Sequence, residues 1–342
     1  MDCMYFEQEL TFLFMTLQED NFRSRICLGY TSYRLETLPF VQDMMQQYEC
    51  IVLEEPPTPG FGEMLKGEMK VDDYLMLTEF GFPEFAKKQC LLLRQMHDMG
   101  KTILQVEPFV EELIGLHEFF AADGRPDQIR AETRAGMVYD CERRWSDKLM
   151  KFYQVSSAGR NFSDLVQAVK NFARADAQKG RLRDEMRARA LKDILSGYQS
   201  IYVEAGYIHF FLAAEVFAKK PASSRLETFY SMQVFFRERL GRRQILGPGD
   251  VLTLLYTWMP DYSGPRADIL AARSLIYNKI VHKEEILEET DRFPHSRDEL
   301  KAVQLAGSLD YEECKDVYRE IRGLETREAM ERVEVWVERK RQ

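Results

Sequence analysis

The sequence predicts an α/β protein with a small, mainly parallel sheet, a long helical insertion and a mostly helical C-terminal region. In its first third, short β-prone runs alternate with amphipathic helical patterns, as is typical of a parallel sheet with crossover helices. A charge-rich stretch without a strand pattern follows at residues 109–195. Beyond Pro221 helical patterns dominate again. We therefore expect an α/β core at residues 22–215, against which a helical region at residues 216–342 packs.

Each predicted strand is a short β-prone run that ends close to a glycine or a carboxylate. The four runs lie at residues 25–28, 50–53, 102–106 and 200–203. Amphipathic helices are predicted between the first three, at residues 38–48 and 85–99. In the C-terminal region, helices are predicted at residues 224–240, 251–258 and 266–289 and from residue 310 onward. Asp250 is predicted to cap the second of these. Residues 331–340 alternate as in a strand, but their helical neighbours favour a helix.

Composition and net charge indicate a globular protein and exclude some classes of binding partner. The 342 residues are 45% hydrophobic and 30% charged, as in an ordinary soluble globular chain. The net charge of -9 is unfavourable for a general binder of nucleic acid or of an anionic membrane. No apolar run approaches the ~20 residues that are needed to span a bilayer. Because the N-terminus is acidic and lacks a secretory signal pattern, we expect a cytoplasmic protein.

Several familiar motifs are absent. The six cysteines show no Cys-x-x-Cys spacing, so zinc-ribbon and thioredoxin motifs are missing, and we expect reduced, structural thiols. These are Cys3, Cys27, Cys50, Cys90, Cys141 and Cys314. The phosphate loop, the dinucleotide-binding glycine motif, the Gly-x-Ser-x-Gly elbow and the His-Glu-x-x-His zinc motif do not occur either. Nucleotide-binding and classical serine-hydrolase functions are therefore disfavoured.

Two glycine-containing turns look like matching halves of one active site. In the first, Gly29 is followed three residues later by Ser32, and in the second Gly206 is followed by His209. Each glycine ends a β-prone run, where it permits tight backbone geometry. A polar residue three positions later is expected to project into a crevice at the carboxyl edge of the sheet, where open α/β folds bind ligands. The first turn lacks the histidine that the second supplies.

Carboxylates also follow the predicted strands. Glu54 and Glu55 follow the second run, Glu107 follows the third, and Glu204 lies near His209. With an imidazole, such groups can ligate a divalent metal, for which Glu54 and His209 are the candidates, or can share acid and base roles. The alternative is that Glu54, Glu55 and Glu107 are solvated loop carboxylates before prolines.

An arginine of the helical insertion is a further candidate, and aromatic residues and histidines are weaker ones. Arg183, beside Asp184, can pair with a strand-end carboxylate or clamp an anionic group; the alternative is a surface ion pair. Aromatic residues near His209 can line an apolar or aromatic-ligand pocket, although such residues more often belong to the core. These are Tyr207, Phe210 and Phe211. Four histidines are expected to be structural or solvated, namely His97, His117, His282 and His295.

Taken in order, these motifs resemble a known superfamily. Over residues 22–215 the chain is similar to the TraB, ChaN and erythromycin-esterase superfamily, which includes the Tiki proteases. The similar motifs are Gly29-x-x-Ser32, Ile51-Val-Leu-Glu54, Arg183-Asp184-x-Met186 and Val203-Glu-Ala-Gly206-x-x-His209. The resemblance implies functional roles for Glu54, Arg183 and His209. It also implies a first-turn histidine, a base or metal ligand in hydrolytic members, at the position where this chain has Ser32.

Three functions remain open from the sequence. The first is a hydrolase-like enzyme that acts on a small molecule or peptide with Glu54, Glu107, Arg183 and His209 around a crevice. The second is a non-catalytic protein that binds an apolar or tetrapyrrole-like ligand, as the resemblance to ChaN implies. The third is a structural or interaction role for the helical C-terminal region. Because clustered carboxylates repel one another, the sequence also predicts that Glu54→Gln raises the melting temperature and that Arg183→Met lowers it.

Overall fold

The computed structural model describes residues 22–77, 81–158, 161–287 and 290–341. Its five-stranded sheet has the order β3-β2-β4-β1-β5, and every pair of neighbours is parallel. The strands are β1 (Ser24–Thr31), β2 (Cys50–Leu53), β3 (Thr102–Gln105), β4 (Ser200–Gly206) and β5 (Ser224–Tyr230). The predicted α/β class and its first four strands are confirmed.

Helices account for most of the remaining described chain. Between β1 and β3 lie α1 (Leu38–Met45), α2 (Phe61–Lys66), α3 (Val71–Leu75) and α4 (Pro83–Asp98). The predicted insertion contains α5 (Pro108–Ala121), α6 (Arg134–Ser157) and α7 (Phe162–Gly197), and α8 (Phe210–Lys219) follows β4. The C-terminal helices are α9 (Gln233–Leu240), α10 (Pro248–Trp258), α11 (Pro265–Ile280), α12 (Pro294–Gly307), α13 (Tyr311–Ile321) and α14 (Thr326–Arg341). The helix predicted for residues 331–340 is therefore confirmed.

The two faces of the sheet are buried in different cores, because side chains alternate along each strand. On one face, Ile51 and Leu53 of β2 pack with residues of α1, α2, α3 and α4. On the other face, Cys50 and Val52 pack with residues of α7 and α8. Glu54 continues this alternation beyond the strand and therefore lies on the side of α7.

Residues 224–230 form a strand and not the start of the predicted helix. β5 pairs with β1 alone and lies at the edge of the sheet. Its charged residues, Arg225 and Glu227, are typical of an edge strand, but without a run of branched apolar residues they resemble a helical pattern. The helix begins only at Gln233. The α/β core thus extends to residue 230, past the predicted boundary at 215.

Two further details of the C-terminal region differ from expectation. The helix predicted at residues 266–289 ends at Ile280, and residue 289 lies outside the described residues. Asp250 is the third residue of α10 and not its N-cap. Its Oδ2 accepts a hydrogen bond at 3.0 Å from the backbone N–H of Gly247, so it still closes the first turn of that helix.

The long helix α7 connects the α/β core to the C-terminal helices. Near its start, Leu165 and Val166 pack with residues of α10 to α14, whereas Leu191 and Leu195 pack beneath the sheet. A second link joins the segment after β1 to α12. There the Glu36 carboxylate accepts hydrogen bonds from the first turn of α12, from the backbone N–H groups of residues 295 and 296 at 2.9 and 2.8 Å.

Gly29 lies inside β1 and not in a turn at the end of the strand. A Cβ atom at this position would lie 2.1 Å from the Oη atom of Tyr202, whose ring packs across the glycine from β4. The absence of a side chain is therefore required for a close approach of two strands and not for a tight turn.

We expect Gly29→Ala to lower the free energy of unfolding by about 1–3 kcal/mol, the usual cost of overpacking, because the buried ring of Tyr202 would have to move. Urea denaturation measures this change. Gly180→Ala is the control, because Gly180 lies in α7 with no atom near its virtual Cβ and alanine favours a helix. An equal loss of stability in both variants would contradict the packing argument.

Two other expectations concern membranes and thiols. Across the part of the chain that the structure describes, none of the helices has the length and apolar character needed to cross a bilayer. Five cysteines are free and buried, as predicted: Cys27, Cys50, Cys90, Cys141 and Cys314. Cys3 and the acidic N-terminus lie outside the described residues.

Candidate functional site

The candidate site lies where the carboxyl ends of β2, β3 and β4 meet α7. Glu54 follows β2, Glu107 stands between β3 and α5, and His209 directly precedes α8. Arg183 lies within α7. Because the three strands are parallel neighbours, their carboxyl ends meet at one edge of the sheet. The structure thus brings together the four residues that the sequence singled out.

The Glu54 carboxylate lies at the centre of this cluster. Its Oε1 is 3.2 Å from Arg183 Nη2 and 3.2 Å from His209 Nε2. Its Oε2 accepts a hydrogen bond at 2.5 Å from the backbone N–H of Gly206 and lies 3.6 Å from Arg187 Nη1. Burial favours the neutral carboxyl, but the three cationic neighbours outweigh it and lower the pKa of Glu54 to about 2. Glu54 is therefore an ionised partner of cations and not a general base.

His209 is held through both of its ring nitrogens. Nδ1 lies 2.5 Å from Asp184 Oδ1, and Nε2 faces Glu54. Asp184 is fixed in turn, because its Oδ2 accepts a hydrogen bond at 2.9 Å from the backbone N–H of Leu212 in α8. Burial opposes a charged ring, but the two carboxylates raise the pKa of His209 to about 9. The imidazole is a cation at neutral pH, and neither nitrogen is free to accept a proton.

Arg183 is shared between two carboxylates. Its Nη2 lies 3.5 Å from Glu107 Oε2 as well as 3.2 Å from Glu54. Glu107 Oε1 is buried and has no hydrogen-bond partner among the described residues. One turn further along α7, Arg187 Nε donates to the carbonyl oxygen of Val106 at 3.0 Å. Three cationic side chains thus neutralise the three acidic side chains Glu54, Glu107 and Asp184.

A further carboxyl group, Glu204, lies behind the cluster on the face of β4 that packs against α4. It accepts hydrogen bonds from Gln89 Nε2 at 3.3 Å and from the backbone N–H of Glu54 at 3.4 Å. Burial, together with the nearby Glu55 and Glu54 carboxylates, raises the pKa of Glu204 to about 8. The neighbouring groups Glu54 and Glu204 therefore have pKa values that are displaced in opposite directions.

Two of the three cations, Arg183 and His209, reach the solvent more than the carboxylates do, whereas the side chain of Arg187 is only 2% exposed. The side chain of Arg183 is 25% exposed and that of His209 is 12% exposed. The carboxylates of Glu54 and Glu107 are only 5% and 1% exposed. A molecule that approaches the cluster from solvent therefore meets positive charge, with negative charge buried beneath it.

Ser32 does not join the cluster, although it lies at the same edge of the sheet. Its backbone carbonyl accepts a hydrogen bond from the Arg34 N–H at 2.8 Å, and its side chain lines a separate cavity. The cause is the position of the two glycines. Gly206 is the last residue of β4, whereas β1 continues past Gly29 to Thr31, so the same three-residue spacing leads to different places.

The arrangement does not fit the predicted divalent metal between Glu54 and His209. Among the residues described, no group of three or more His, Cys, Asp or Glu side chains is arranged to hold a metal ion. The oxygens of Glu54 already face two guanidinium groups, which would repel a cation, and His209 is protonated at neutral pH. The residues present at this pair therefore do not fit a divalent metal ion.

Sequence reasoning gave no role to three residues of this site. Arg187 lies four residues after Arg183 and thus on the same face of α7, a signal that the sequence did contain. Asp184 was noted only as a neighbour of Arg183 and not as a partner of His209. Gln89 could not be found, because its link to Glu204 depends on how α4 packs on the sheet.

The weaker candidates lie outside the cluster. His295 is buried and accepts a hydrogen bond from the Ile286 N–H at 2.9 Å, and its pKa is lowered to about 4, mainly by burial. Phe210 packs against Tyr30 in the core, with ring centroids 5.1 Å apart. Tyr207 lines the same cavity as Ser32.

Comparison with known proteins finds one informative relative. The chain is 32% identical over 290 residues to a protein of Archaeoglobus fulgidus described as uncharacterized, and the match covers 84% of this chain and 96% of that protein. No family model matches the chain. No solved structure matches it either.

Proposed function

The chain belongs to the same family as the uncharacterized protein of Archaeoglobus fulgidus, and from that premise we propose that it is a ligand-binding protein that holds a small anionic molecule with Arg183 and His209. The observation that carries the proposal is the order of exposure in the ion cluster. Two of its cations, Arg183 and His209, are partly exposed to solvent, and its carboxylates are buried beneath them. Such a surface favours an anion.

The protonation states support binding over base catalysis. A general base needs a free acceptor whose pKa lies near the working pH. The protonated ring of His209 hydrogen-bonds Asp184 through Nδ1 and forms an ion pair with Glu54 through Nε2, and Glu54 has a pKa of about 2. The charged crevice also favours a small polar anion over an apolar or tetrapyrrole-like ligand.

The resemblance to the TraB, ChaN and erythromycin-esterase superfamily agrees with this proposal in one respect. Three motif residues of that resemblance, Glu54, Arg183 and His209, are members of the ion cluster. The position of the first-turn histidine is occupied by Ser32, which lines a separate cavity. We propose that the chain is a divergent relative that keeps the ion cluster but lacks the first-turn histidine.

A hydrolase-like activity is the second candidate, and one observation favours it. Oε1 of Glu107 has no hydrogen-bond partner among the described residues and lies beside Arg183. A carboxylate oxygen in that position can take a proton from an attacking water while Arg183 stabilises negative charge on the substrate. Glu107→Gln should then abolish hydrolysis of any ester or peptide that the parent protein cleaves, but leave anion binding measurable.

We expect Arg183→Met to weaken binding of anions at least about tenfold, because it removes the most exposed cation of the cluster. Calorimetric titration with acetate, phosphate and sulfate at low ionic strength measures this effect. Arg189→Met is the matched control, because Arg189 is also on α7 but is exposed and pairs with Glu185 at 3.6 Å. Equal affinity in the two variants would overturn the proposed site.

A further inference from the structure

The cavity that Ser32 and Tyr207 line lies at the same edge of the sheet as the ion cluster. It has a volume of about 250 Å³ and lies between the carboxyl ends of β1 and β5 and the helices α11 and α12. Tyr30 and Arg34 line it from the sheet, and Tyr277 and Glu299 line it from the helices. Neither Arg183 nor any other member of the ion cluster lines this cavity.

Two polar groups on the sheet side of the cavity have no partner. Tyr30 is only 2% exposed, and its hydroxyl has no hydrogen-bond partner among the described residues. The Nη1 atom of Arg34 is inaccessible to solvent and also unpartnered, and within the described ranges Arg34 makes no ion pair. Its guanidinium lies 4.6 Å from the ring of Phe82, which fixes the plane of the group without using its N–H donors. Buried donors of this kind normally have an acceptor.

The helical side of the cavity carries an acidic group, Glu299. Burial, with Asp250 nearby, raises the pKa of Glu299 to about 8. The only hydrogen bond that the structure gives its carboxyl group comes from the Tyr277 hydroxyl at the long distance of 3.5 Å. No cation of the described chain forms an ion pair with it. Glu299 therefore has no cation of the described chain within ion-pair distance, and the charge of Arg34 lowers its pKa only at longer range.

The other acidic groups of the cavity are already engaged. Both oxygens of Glu36 accept hydrogen bonds from the first turn of α12. Asp298 Oδ2 accepts one from the backbone N–H of His282 at 2.8 Å. Among the described residues, the buried or half-buried groups left without a close partner are thus a guanidinium and a tyrosine hydroxyl on one wall and a carboxyl group on the other, while Lys283 at the rim is exposed.

We propose that this cavity binds a small zwitterion, a molecule with a carboxylate and an ammonium group a few bonds apart, as in an amino acid. The carboxylate pairs with Arg34 and accepts a hydrogen bond from Tyr30, and the ammonium pairs with Glu299. Four tyrosines line the cavity, and their ring faces also suit an ammonium group. They are Tyr30, Tyr207, Tyr230 and Tyr277.

Size and charge exclude the main alternatives. A cavity of about 250 Å³ is smaller than the roughly 300 Å³ at which pockets for drug-sized ligands begin, so the ligand is small. A dianion such as phosphate would meet the two cations Arg34 and Lys283 but would also face three carboxyl groups, those of Glu36, Asp298 and Glu299. A simple amine would leave the donors of Arg34 unpartnered. Only a ligand with both charges satisfies both walls.

The experiment uses three small probes on the full chain. Alanine carries both charges, propionate lacks the ammonium group, and ethylamine lacks the carboxylate. In calorimetric titrations we expect alanine, or a larger amino acid, to bind at least about tenfold more tightly than its two single-charge analogues. Failure of every amino acid to bind at ~10 mM overturns the proposal, and so does equal affinity for an amino acid and its analogues.

Single-residue variants test which wall of the cavity binds the ammonium group and which binds the carboxylate. Glu299→Gln should remove the preference for the ammonium group, and Tyr30→Phe should weaken carboxylate binding while leaving the ring packing in place. Tyr30→Phe is preferred to a change at Arg34, whose stacking on Phe82 also supports the fold. Glu312→Gln, an exposed carboxylate of α13, is the control. Unchanged zwitterion binding in Glu299→Gln refutes the assignment.

Proton release gives an independent readout. Because the carboxyl group of Glu299 is largely protonated near pH 7, pairing with an ammonium group should release up to about one proton per ligand, and Glu299→Gln should release none. Titration in two buffers of different ionisation enthalpy measures this. The other titratable or charged groups around the cavity are Arg34 and Glu36 before α1, Asp250 of α10, Tyr277 of α11, His282 and Lys283 after it, His295 and Asp298 of α12, and Tyr30, Tyr207 and Tyr230. Equal release from both proteins would assign the proton to one of these and contradict the proposal.

Discussion

Glu54→Gln is expected to destabilise the fold by about 3–5 kcal/mol at pH 7, the usual cost of breaking a buried ion pair on one side only. The variant leaves Arg183, Arg187 and His209 without the carboxylate that all three contact. The melting temperature should fall by several degrees. This reverses the expectation from the sequence, in which removal of a crowded carboxylate stabilised the protein.

The effect of Glu54 should depend on pH in a defined direction. Its pKa is about 2 in the folded protein against an ordinary value of 4.5, so the stabilisation is present above pH 4.5 and is lost as the pH falls toward 2. The difference between parent and variant should therefore shrink over that range. Urea denaturation at several pH values measures it.

Glu55→Gln is the control for Glu54→Gln. Glu55 is the adjacent residue, but it contacts no cation of the cluster, and burial raises its pKa. Its replacement should be neutral or slightly stabilising. If Glu54→Gln melts together with Glu55→Gln, the ion cluster contributes nothing to the stability of the fold.

The sequence predicted both acidic and basic members of this site, but not how their charges act on the stability of the fold. Strand ends are local features, so Glu54 and Glu107 could be placed at the edge of the sheet from the β-prone runs that precede them. Whether these carboxylates stabilise or destabilise the fold depends on which side of α7 faces them. That depends on packing between segments distant in sequence, and it decides that Arg183 and Arg187 point at the carboxylates.

Two other errors have the same physical origin. β5 owes its conformation to pairing with β1, and an edge strand with alternating charges carries little intrinsic preference for a sheet. Gly29 was interpreted as a turn residue, because the sequence alone does not reveal that Tyr202 of a distant strand packs across it. Periodicity predicts which helices and strands form. The role of an individual residue depends on contacts between elements that are distant in sequence.

Glu204→Gln is expected to stabilise the protein, in contrast to Glu54→Gln. In the folded protein the pKa of Glu204 is about 8, against an ordinary value of 4.5, because burial favours the neutral acid. Above pH 4.5 the unfolded chain releases this proton and the folded chain keeps it, so the parent loses stability as the pH rises toward 8. A neutral amide at this position removes that loss.

The gain from Glu204→Gln should accordingly grow from near zero at pH 4 to about 4 kcal/mol at pH 8. The loss of stability that His209 causes as the pH rises from 6.5 to 9 is present in both proteins and cancels in the difference. The amide can keep both hydrogen bonds, because Gln89 is able to rotate its own amide and present its oxygen. Denaturation curves at pH 4, 6 and 8 decide the matter. A constant difference between parent and variant at all three pH values would show that Glu204 is ionised in the folded state. The ion cluster and Glu204 together would then carry one more negative charge than the three cations neutralise.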